Sequence, residues 1–480
     1  MAEQSLKSKT VKGVGWSAAD ALLGQGVTFL VGIILARLLS PDEYGLIGIC
    51  LIFNTVLNGV VDSGFSNAII RKKESSHDDY NTMFITNMVV SIILYITLFI
   101  TSPLISSFFN RIELVSLIRV TGLVLIINAL SITQVTNLTK RIDFKTKTKA
   151  SLISAITSGV VGISMAYCGF GVWALVGQLV SKQAVYTICL WILNKWIPNF
   201  KFSLSSFHYM WGFGWKLMVS GLLENIWNQL YQVVVGKCYS PATLGQFTRS
   251  NDFANLFSMN FSAIVQRVSF PVLSSIQDDR DRLVAAYRRI IKTTMYITFI
   301  MMFALGATSE PLLYCLIGPQ WHEAATYLPL ICVTLSLYPL HAINLNMLKV
   351  QGRSDIFLIL EIIKKIIGII PIVIGVFVGI RWMLTASIVI GIINFFLNSW
   401  YTGKSLGYSS WMQIRDIVPS LTVAICTAIS VYFLKYIPVN NYLILALQAI
   451  IGLAVVVIMS IALKMPEFVE IKSIIRKTMK

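Results

Sequence analysis

Charge is what this sequence has least of. Only 13% of its 480 residues are Asp, Glu, Lys or Arg, where soluble domains carry about 25%. A chain of this length with so little charge cannot cover its surface for water, so a soluble globular class is excluded. Cysteines are few and unpaired in pattern: the seven (Cys50, Cys168, Cys189, Cys238, Cys315, Cys332, Cys426) contain no C-x-x-C and fall almost entirely inside apolar runs. Disulfide frameworks and zinc sites are therefore not expected, and the thiols read as packing residues. The four histidines are scattered, His77, His208 and His322 in loops and His341 late in an apolar run, so no metal centre is expected. There is no glycine-rich phosphate loop and no nucleophile-and-base set. A cleavable leader is not expected either, because Lys7, Lys9 and Lys12 run straight into a long span containing Asp20 rather than a short apolar core with a small-residue cleavage site.

What is present is apolar sequence: 56% of residues are hydrophobic and mean hydropathy is +0.73. Fourteen apolar runs, from 14–38 to 442–463, are each long enough to cross a hydrocarbon core of about 30 Å as a helix. Lys and Arg outnumber Asp and Glu by 39 to 22, for a formal charge of +17. With the N-terminus placed in the cytoplasm, the segments on that side hold 27 basic residues, not counting Arg267 at the end of span 8, and those on the other side five, namely Arg37, Arg111, Lys237, Arg381 and Lys435. That asymmetry is the positive-inside pattern. It accounts for the basic charge topologically, so nucleic acid is not expected as a partner, and both termini are expected in the cytoplasm.

Three landmarks recur at nearly constant spacing. Gly-x-Gly-Trp stands at 13–16 and 212–215, Ser-Pro-x-x-x-Gly at 40–45 and 240–245, and Asp-Asp at 78–79 and 278–279. Such spacing points to a unit of about 200 residues copied in tandem. Each copy holds six spans, an even number, so both enter the membrane from the same side and should be related by a pseudo-two-fold axis along the membrane normal, with a cleft between them. The expected architecture is all-α, with about 14 transmembrane helices: an N-lobe over 1–200, a C-lobe over 201–405, and an extra helix pair with a basic cytoplasmic tail over 406–480. The landmarks themselves read as punctuation, small residues for close helix approach, Trp at the headgroup level and Pro starting an element.

Polar residues fall on the same spans in both copies. Lys216, Ser220, Glu224, Asn228 and Gln232 recur every fourth residue on span 7, and Asn54, Asn58, Asp62 and Ser66 do so on span 2, each set forming one stripe. Span 8, with Asn255, is polar along one side, and span 1 contributes Asp20 and Gln25. These four spans are expected to line the cleft. Six basic residues lie inside spans (Arg119, Lys182, Lys216, Arg249, Lys364, Lys365) with four acids (Asp20, Glu224, Asp252, Glu361) beside Asp62 of the span-2 stripe. Six cations facing lipid would cost roughly 15–20 kcal/mol, so they must meet water or each other. Helical spacing suggests Glu361 with Lys365 and Arg249 with Asp252. The excess of positive charge suits an anionic cargo. Asp20 and Glu224, in equivalent first helices of the lobes, are the candidates for binding a coupling proton or sodium ion; for Glu224, pairing with Lys216 is the equal alternative. No other cofactor is expected.

The stretches "GVGWSAAD", "ILARLLSPDEYGLIGIC", "GQFTRSNDF", "RVSFPVLSSIQDDRDRLVAAYRR" and "LIGPQWHEAATYLPLI" resemble the polysaccharide transporter family, the Wzx-type flippases of the MOP superfamily, and in particular their colanic-acid-exporter-like branch. The resemblance extends over about residues 10–400. It implies a MATE-like fold, no ATP site, and alternating access that carries an undecaprenyl-diphosphate-linked oligosaccharide repeat unit from the cytoplasmic to the outer leaflet of the bacterial inner membrane, for O-antigen, capsule or exopolysaccharide. A Wzy-type polymerase and other polysaccharide assembly proteins would be partners beside the membrane lipids. On that cargo, Arg119, Lys182, Lys216 and Arg249 are assigned to the diphosphate and Asn54, Asn58, Asn228 and Asn255 to sugar hydroxyls. One departure is that "TTMYITFIMMFALGATSEP" lacks a mid-helix proline often found in relatives.

Two other classes compete. A MATE-like drug or cation antiporter shares the twin-lobed plan but favours acids in its cleft, where bases are in excess here. A membrane enzyme acting on lipid-linked sugars needs a large outer loop with catalytic acids, and the longest, near 309–323, offers only Glu310 and Glu323.

Overall fold

The computed structural model describes residues 23–62 and 64–478. Almost all of them are helical, and no β-strand occurs among them. Ten helical segments among the described residues are long and apolar enough to cross a membrane, and the chain is a multi-pass membrane protein. Four of the fourteen expected spans are not among these ten: span 1, of which only the short helix Gln25–Leu38 is described, spans 7 and 8, long helices too polar to qualify by composition, and span 11, which is broken in the middle. The first Gly-x-Gly-Trp and Asp20 lie outside the described residues.

Packing divides the chain at Gly245. The first unit contains α1 (Gln25–Leu38), α2 (Pro41–Val61), α3 (Phe65–Arg71), α4 (His77–Phe109), α5 (Leu114–Lys140), α6 (Phe144–Tyr167), α7 (Val172–Asn194) and α8 (Leu204–Cys238). Although the repeat assigns α8 to the second copy, it packs against α2, α3 and α4.

The recurring landmarks are helix caps. Ser40 and Glu43 form a reciprocal capping box at the start of α2, with Pro41 in the first turn, and Ser76 and Asp79 form another at α4. Each such box satisfies donors that a helix start leaves orphaned. Ser240 Oγ accepts from the Thr243 amide at 3.1 Å where α9 begins, and Asp279 accepts from the Arg282 amide at 3.1 Å. The conserved spacing thus preserves where helices start.

The two Ser-Pro-x-x-x-Gly turns also touch each other. A Cβ on Gly45 would collide with the Pro241 carbonyl and one on Gly245 with the Pro41 carbonyl, a reciprocal crossing only glycine permits. The Gly64 backbone, at φ +70°, meets the Gly214 backbone in the same way, which explains the second Gly-x-Gly-Trp better than membrane anchoring does. Trp211 of that segment stacks on Phe207 with ring centres 5.9 Å apart. The segment 64–80 contains α3, whose C-terminal end is capped by Lys140 Nζ donating to the carbonyls of Ile69 at 3.0 Å and Lys72 at 2.5 Å.

The second unit holds most of α9 (Pro241–Ser274), then α10 (Arg280–Ala307), α11 (Ser309–Leu316), a 3-10 turn at Pro319–Trp321, α12 (His322–Ser336), α13 (Tyr338–Val350), α14 (Ser354–Ile367), α15 (Ile369–Phe377), α16 (Ile380–Leu406), α17 (Ser410–Phe433), α18 (Asn441–Ala462) and α19 (Pro466–Thr478). Its core packs Tyr287, Ile291, Met295 and Phe299 of α10 against Leu340, Ile343 and Met347 of α13. The breaks have local causes: Pro339 follows the interruption at Leu337, and Gly368 and Pro371 flank the one between α14 and α15, since proline withholds a donor and crowds the preceding turn. The basic tail is itself an amphipathic helix, α19, tied to α10 by Lys292 with Glu467 at 2.9 Å and Arg289 with Glu470 at 2.7 Å.

Candidate functional site

In the first unit the polar groups gather on α1, α2, α5 and α7. Lys182 of α7 is half-buried and donates to Thr28 Oγ1 of α1 at 3.2 Å. Thr28 in turn donates back to the Gly24 carbonyl at 2.9 Å. A hydroxyl can orient an ammonium but cannot neutralise it, so this cation stays available to an anion.

The next residue, Gln183, donates to Asn128 Oδ1 at 3.2 Å, and Asn128 Nδ2 donates to Asn58 Oδ1 at 2.8 Å. Farther along the seam, Thr136 donates to Ser66 at 2.8 Å and Ser66 to Asp62 at 2.5 Å. The span-2 stripe is thus packed inward against α5 and α7. Asn54 is only 4% exposed and its Oδ1 has no hydrogen-bond partner among the described residues. In this conformation Asn54 is out of reach of a large cargo, whereas Asn58 is only partly covered.

The span-7 stripe behaves differently. Lys216, Ser220, Glu224 and Asn228 all lie exposed along α8, so a continuous row of polar side chains is presented outward from the helix. Arg119 is engaged near the start of α5: its Nε donates to Ser102 Oγ at 3.1 Å and its guanidinium lies 4.1 Å from the Phe99 ring centre. That arrangement combines a hydrogen bond with a cation–π contact.

In the second unit Arg249 pairs with Asp252 at 3.6 Å, as its spacing suggested. Asn255 follows on the same helix with its Oδ1 buried and unpartnered among the described residues. Glu361 bonds Lys364, one residue nearer than the Lys365 its spacing suggested, since neighbours three apart on a helix meet as readily as those four apart. Asn128 and Gln183 were not picked from the sequence. Their signal was there, since amides in otherwise apolar spans require partners, but no periodic stripe drew attention to them.

Residues 34–326 match the profile of the polysaccharide biosynthesis protein family. The chain belongs to that family. Among relatives, it is 25% identical to the lipopolysaccharide biosynthesis protein WzxC of Escherichia coli (strain K12) over 85% of this chain and 84% of that protein. It is also 25% identical to the succinoglycan biosynthesis transport protein ExoT of Rhizobium meliloti (strain 1021), over 75% and 74%. The fold is shared with two solved membrane transporters. The lipid II flippase MurJ in an inward closed conformation superposes with a TM-score of 0.71 at 18% identity, covering 94% of this chain and 98% of that one. A MATE family multidrug resistance transporter of the MOP superfamily, inward-facing, gives 0.62 at 17%, over 83% and 99%.

Proposed function

We propose that this protein is a flippase that moves an undecaprenyl-diphosphate-linked oligosaccharide repeat unit from the cytoplasmic to the outer leaflet by alternating access, supplying polysaccharide assembly. The observation that carries this reading is the conjunction of family and fold: relatives named for succinoglycan and lipopolysaccharide biosynthesis, on a fold also used by a lipid II flippase. Cytoplasmic termini and an inner-membrane location are supported by the 27 to 5 distribution of basic residues.

Lys182 and Lys216 would attract the diphosphate, Lys182 because its only described partner is a hydroxyl and Lys216 because it is exposed. Arg119 and Arg249 are held by other groups and would add field more than direct contact. Asn228 and Asn58 would meet sugar hydroxyls, with Asn54 and Asn255 reached only after rearrangement. Coupling at Asp20 and Glu224, a Wzy-type polymerase as the next protein in line, and a transport rather than enzymatic role complete the proposal.

The test is a strain lacking the protein, with its lipid-linked oligosaccharides extracted and their leaflet assigned by an impermeant glycosidase. Complete repeat units held on the cytoplasmic side are expected. A normal pool distribution would reject the proposal and favour drug or cation export.

A further inference from the structure

Asp62 is the one acid of the span-2 stripe, and the helix is interrupted where it stands. The first segment, α2, ends at Val61, α3 begins at Phe65, and Gly64 between them has φ +70°. A carboxylate inside a membrane span ordinarily has a counter-charge. Asp62 makes no ion pair among the described residues. Basic groups on the surrounding elements are engaged elsewhere. Lys72 pairs with Asp79 at 2.7 Å, Lys140 caps α3, Arg71 lies over the Phe213 ring at 4.9 Å, and Lys182 bonds Thr28. Lys216 of α8 is exposed.

What does surround Asp62 is hydroxyl oxygen. Ser66 Oγ donates to its Oδ1 at 2.5 Å, and Thr136 of α5 donates to Ser66 Oγ at 2.8 Å. The register brings a third hydroxyl to the same level. Asn58 meets Asn128 and Ser66 meets Thr136 at the same offset of 70 residues, so the two chains run parallel with equal rise. That offset sets Asp62 level with Ile132, beside Thr133. Thr133 is fully buried, and its Oγ1 has no hydrogen-bond partner among the described residues. Hydrogen bonds from hydroxyls orient a carboxylate without cancelling its charge, and each hydroxyl oxygen keeps a lone pair for a further ligand.

We propose that Asp62, Ser66, Thr136 and Thr133 form a sodium-binding site at the break between α2 and α3, and that cargo flipping requires its occupancy. The proposal rests on the flippase reading above and adds a cation site to the coupling positions Asp20 and Glu224. One carboxylate balances one unit of charge, so a monovalent ion leaves the site neutral where a divalent ion would leave it positive. Hard cations take oxygen ligands, and all four side chains offer oxygen. The separations of 2.5 and 2.8 Å are tight, which favours sodium over the larger potassium ion. A proton would satisfy Asp62 alone and leave the Thr133 hydroxyl unanswered. The end of an interrupted helix also brings carbonyls without intrahelical partners toward such an ion. Asp62 is half-buried rather than sealed, so an ion can reach it.

The test measures ²²Na⁺ binding to the full-length protein in lipid nanodiscs, with N-methylglucamine as the background cation. At least one saturable equivalent is expected, displaced by unlabelled sodium and not by the same concentration of potassium, with one equivalent fewer in Asp62→Asn. Thr136→Val, which keeps the carboxylate, is expected to weaken that equivalent at least tenfold. Stoichiometry unchanged in Asp62→Asn, affinity unchanged in Thr136→Val, or no sodium bound by the unsubstituted protein overturns the site. Binding needs no cargo, so its failure is distinguishable from failure of the flippase assignment. The coupling role is read in proteoliposomes, with lipid-linked saccharide extracted from the deletion strain and its leaflet assigned by impermeant glycosidase. Flipping is expected to slow at least tenfold when sodium is replaced by N-methylglucamine. Equal rates in the two media overturn the coupling role and leave the flippase assignment standing.

Discussion

At the scale of single residues, the interior cations differ in how far they are already satisfied, and this orders their expected importance. Lys182 has a hydroxyl for a partner while Arg249 has a carboxylate. Hydrogen bonds to charged groups contribute about 1.5–3 kcal/mol, or roughly ten- to a hundredfold in rate if formed with cargo in the transition state. Lys182→Ala is therefore expected to slow flipping at least tenfold, and Arg249→Ala by less, as read from the appearance of lipid-linked saccharide in the outer leaflet. Equal effects, or none, would remove the diphosphate assignment. Asn128 tests the scaffold instead. Asn128→Leu strands Asn58 Oδ1 and leaves Gln183 Nε2 with only its longer bond to Ser131 Oγ at 3.4 Å. Leaving such groups unpaired costs about 1–3 kcal/mol apiece, so a fall of several degrees in the detergent-solubilised melting temperature is expected.

At the scale of elements, the reciprocal crossing of Gly45 and Gly245 on the Pro241 and Pro41 carbonyls is the sharpest steric demand in the first unit. A side chain at either position cannot be absorbed by rotamer change, because the colliding atoms are backbone. Gly45→Val is expected to separate the starts of α2 and α9, exposing Leu244, which is fully buried. A cysteine placed at Leu244 should then react with maleimide at least tenfold faster than in the glycine parent. Much of this level was legible in the sequence: Ser40, Asp79 and Asp279 mark helix starts through side chains that can cap, and they recur because caps are local chemistry. The second Gly-x-Gly-Trp was legible as a position but not as a contact, since Gly64 meets Gly214 only after folding. The interruption at Leu337 and the helix in the basic tail were not legible, because one proline in an apolar run does not say whether neighbouring helices absorb it. For the site, charge and stripe located Lys182 and α8, but could not say that Asn54 is buried or that Asn128 joins α2 to α7.

At the scale of the whole molecule, orientation decides which face loads and which releases, and the native cysteines report it. Cys168 ends the fifth apolar run and Cys238 the seventh, and both are exposed, whereas Cys50, Cys315 and Cys332 are buried. With basic residues concentrated on the cytoplasmic side, the fifth and seventh runs both travel outward, so both exposed thiols belong at the outer face. An impermeant maleimide applied to intact spheroplasts is expected to label Cys168 and Cys238 without permeabilisation. A cysteine introduced at Lys147, in the basic segment after α5, should label only once the membrane is opened. The opposite pattern would invert the topology and place Lys237 and Arg111 in the cytoplasm. The proposed direction of flipping would then be lost with it, because the exposed α8 stripe begins at Lys216 near the end where cargo is expected to arrive. Labelling of both faces in the expected order would fix that end of α8 at the cytoplasmic leaflet, where a diphosphate headgroup first meets the protein.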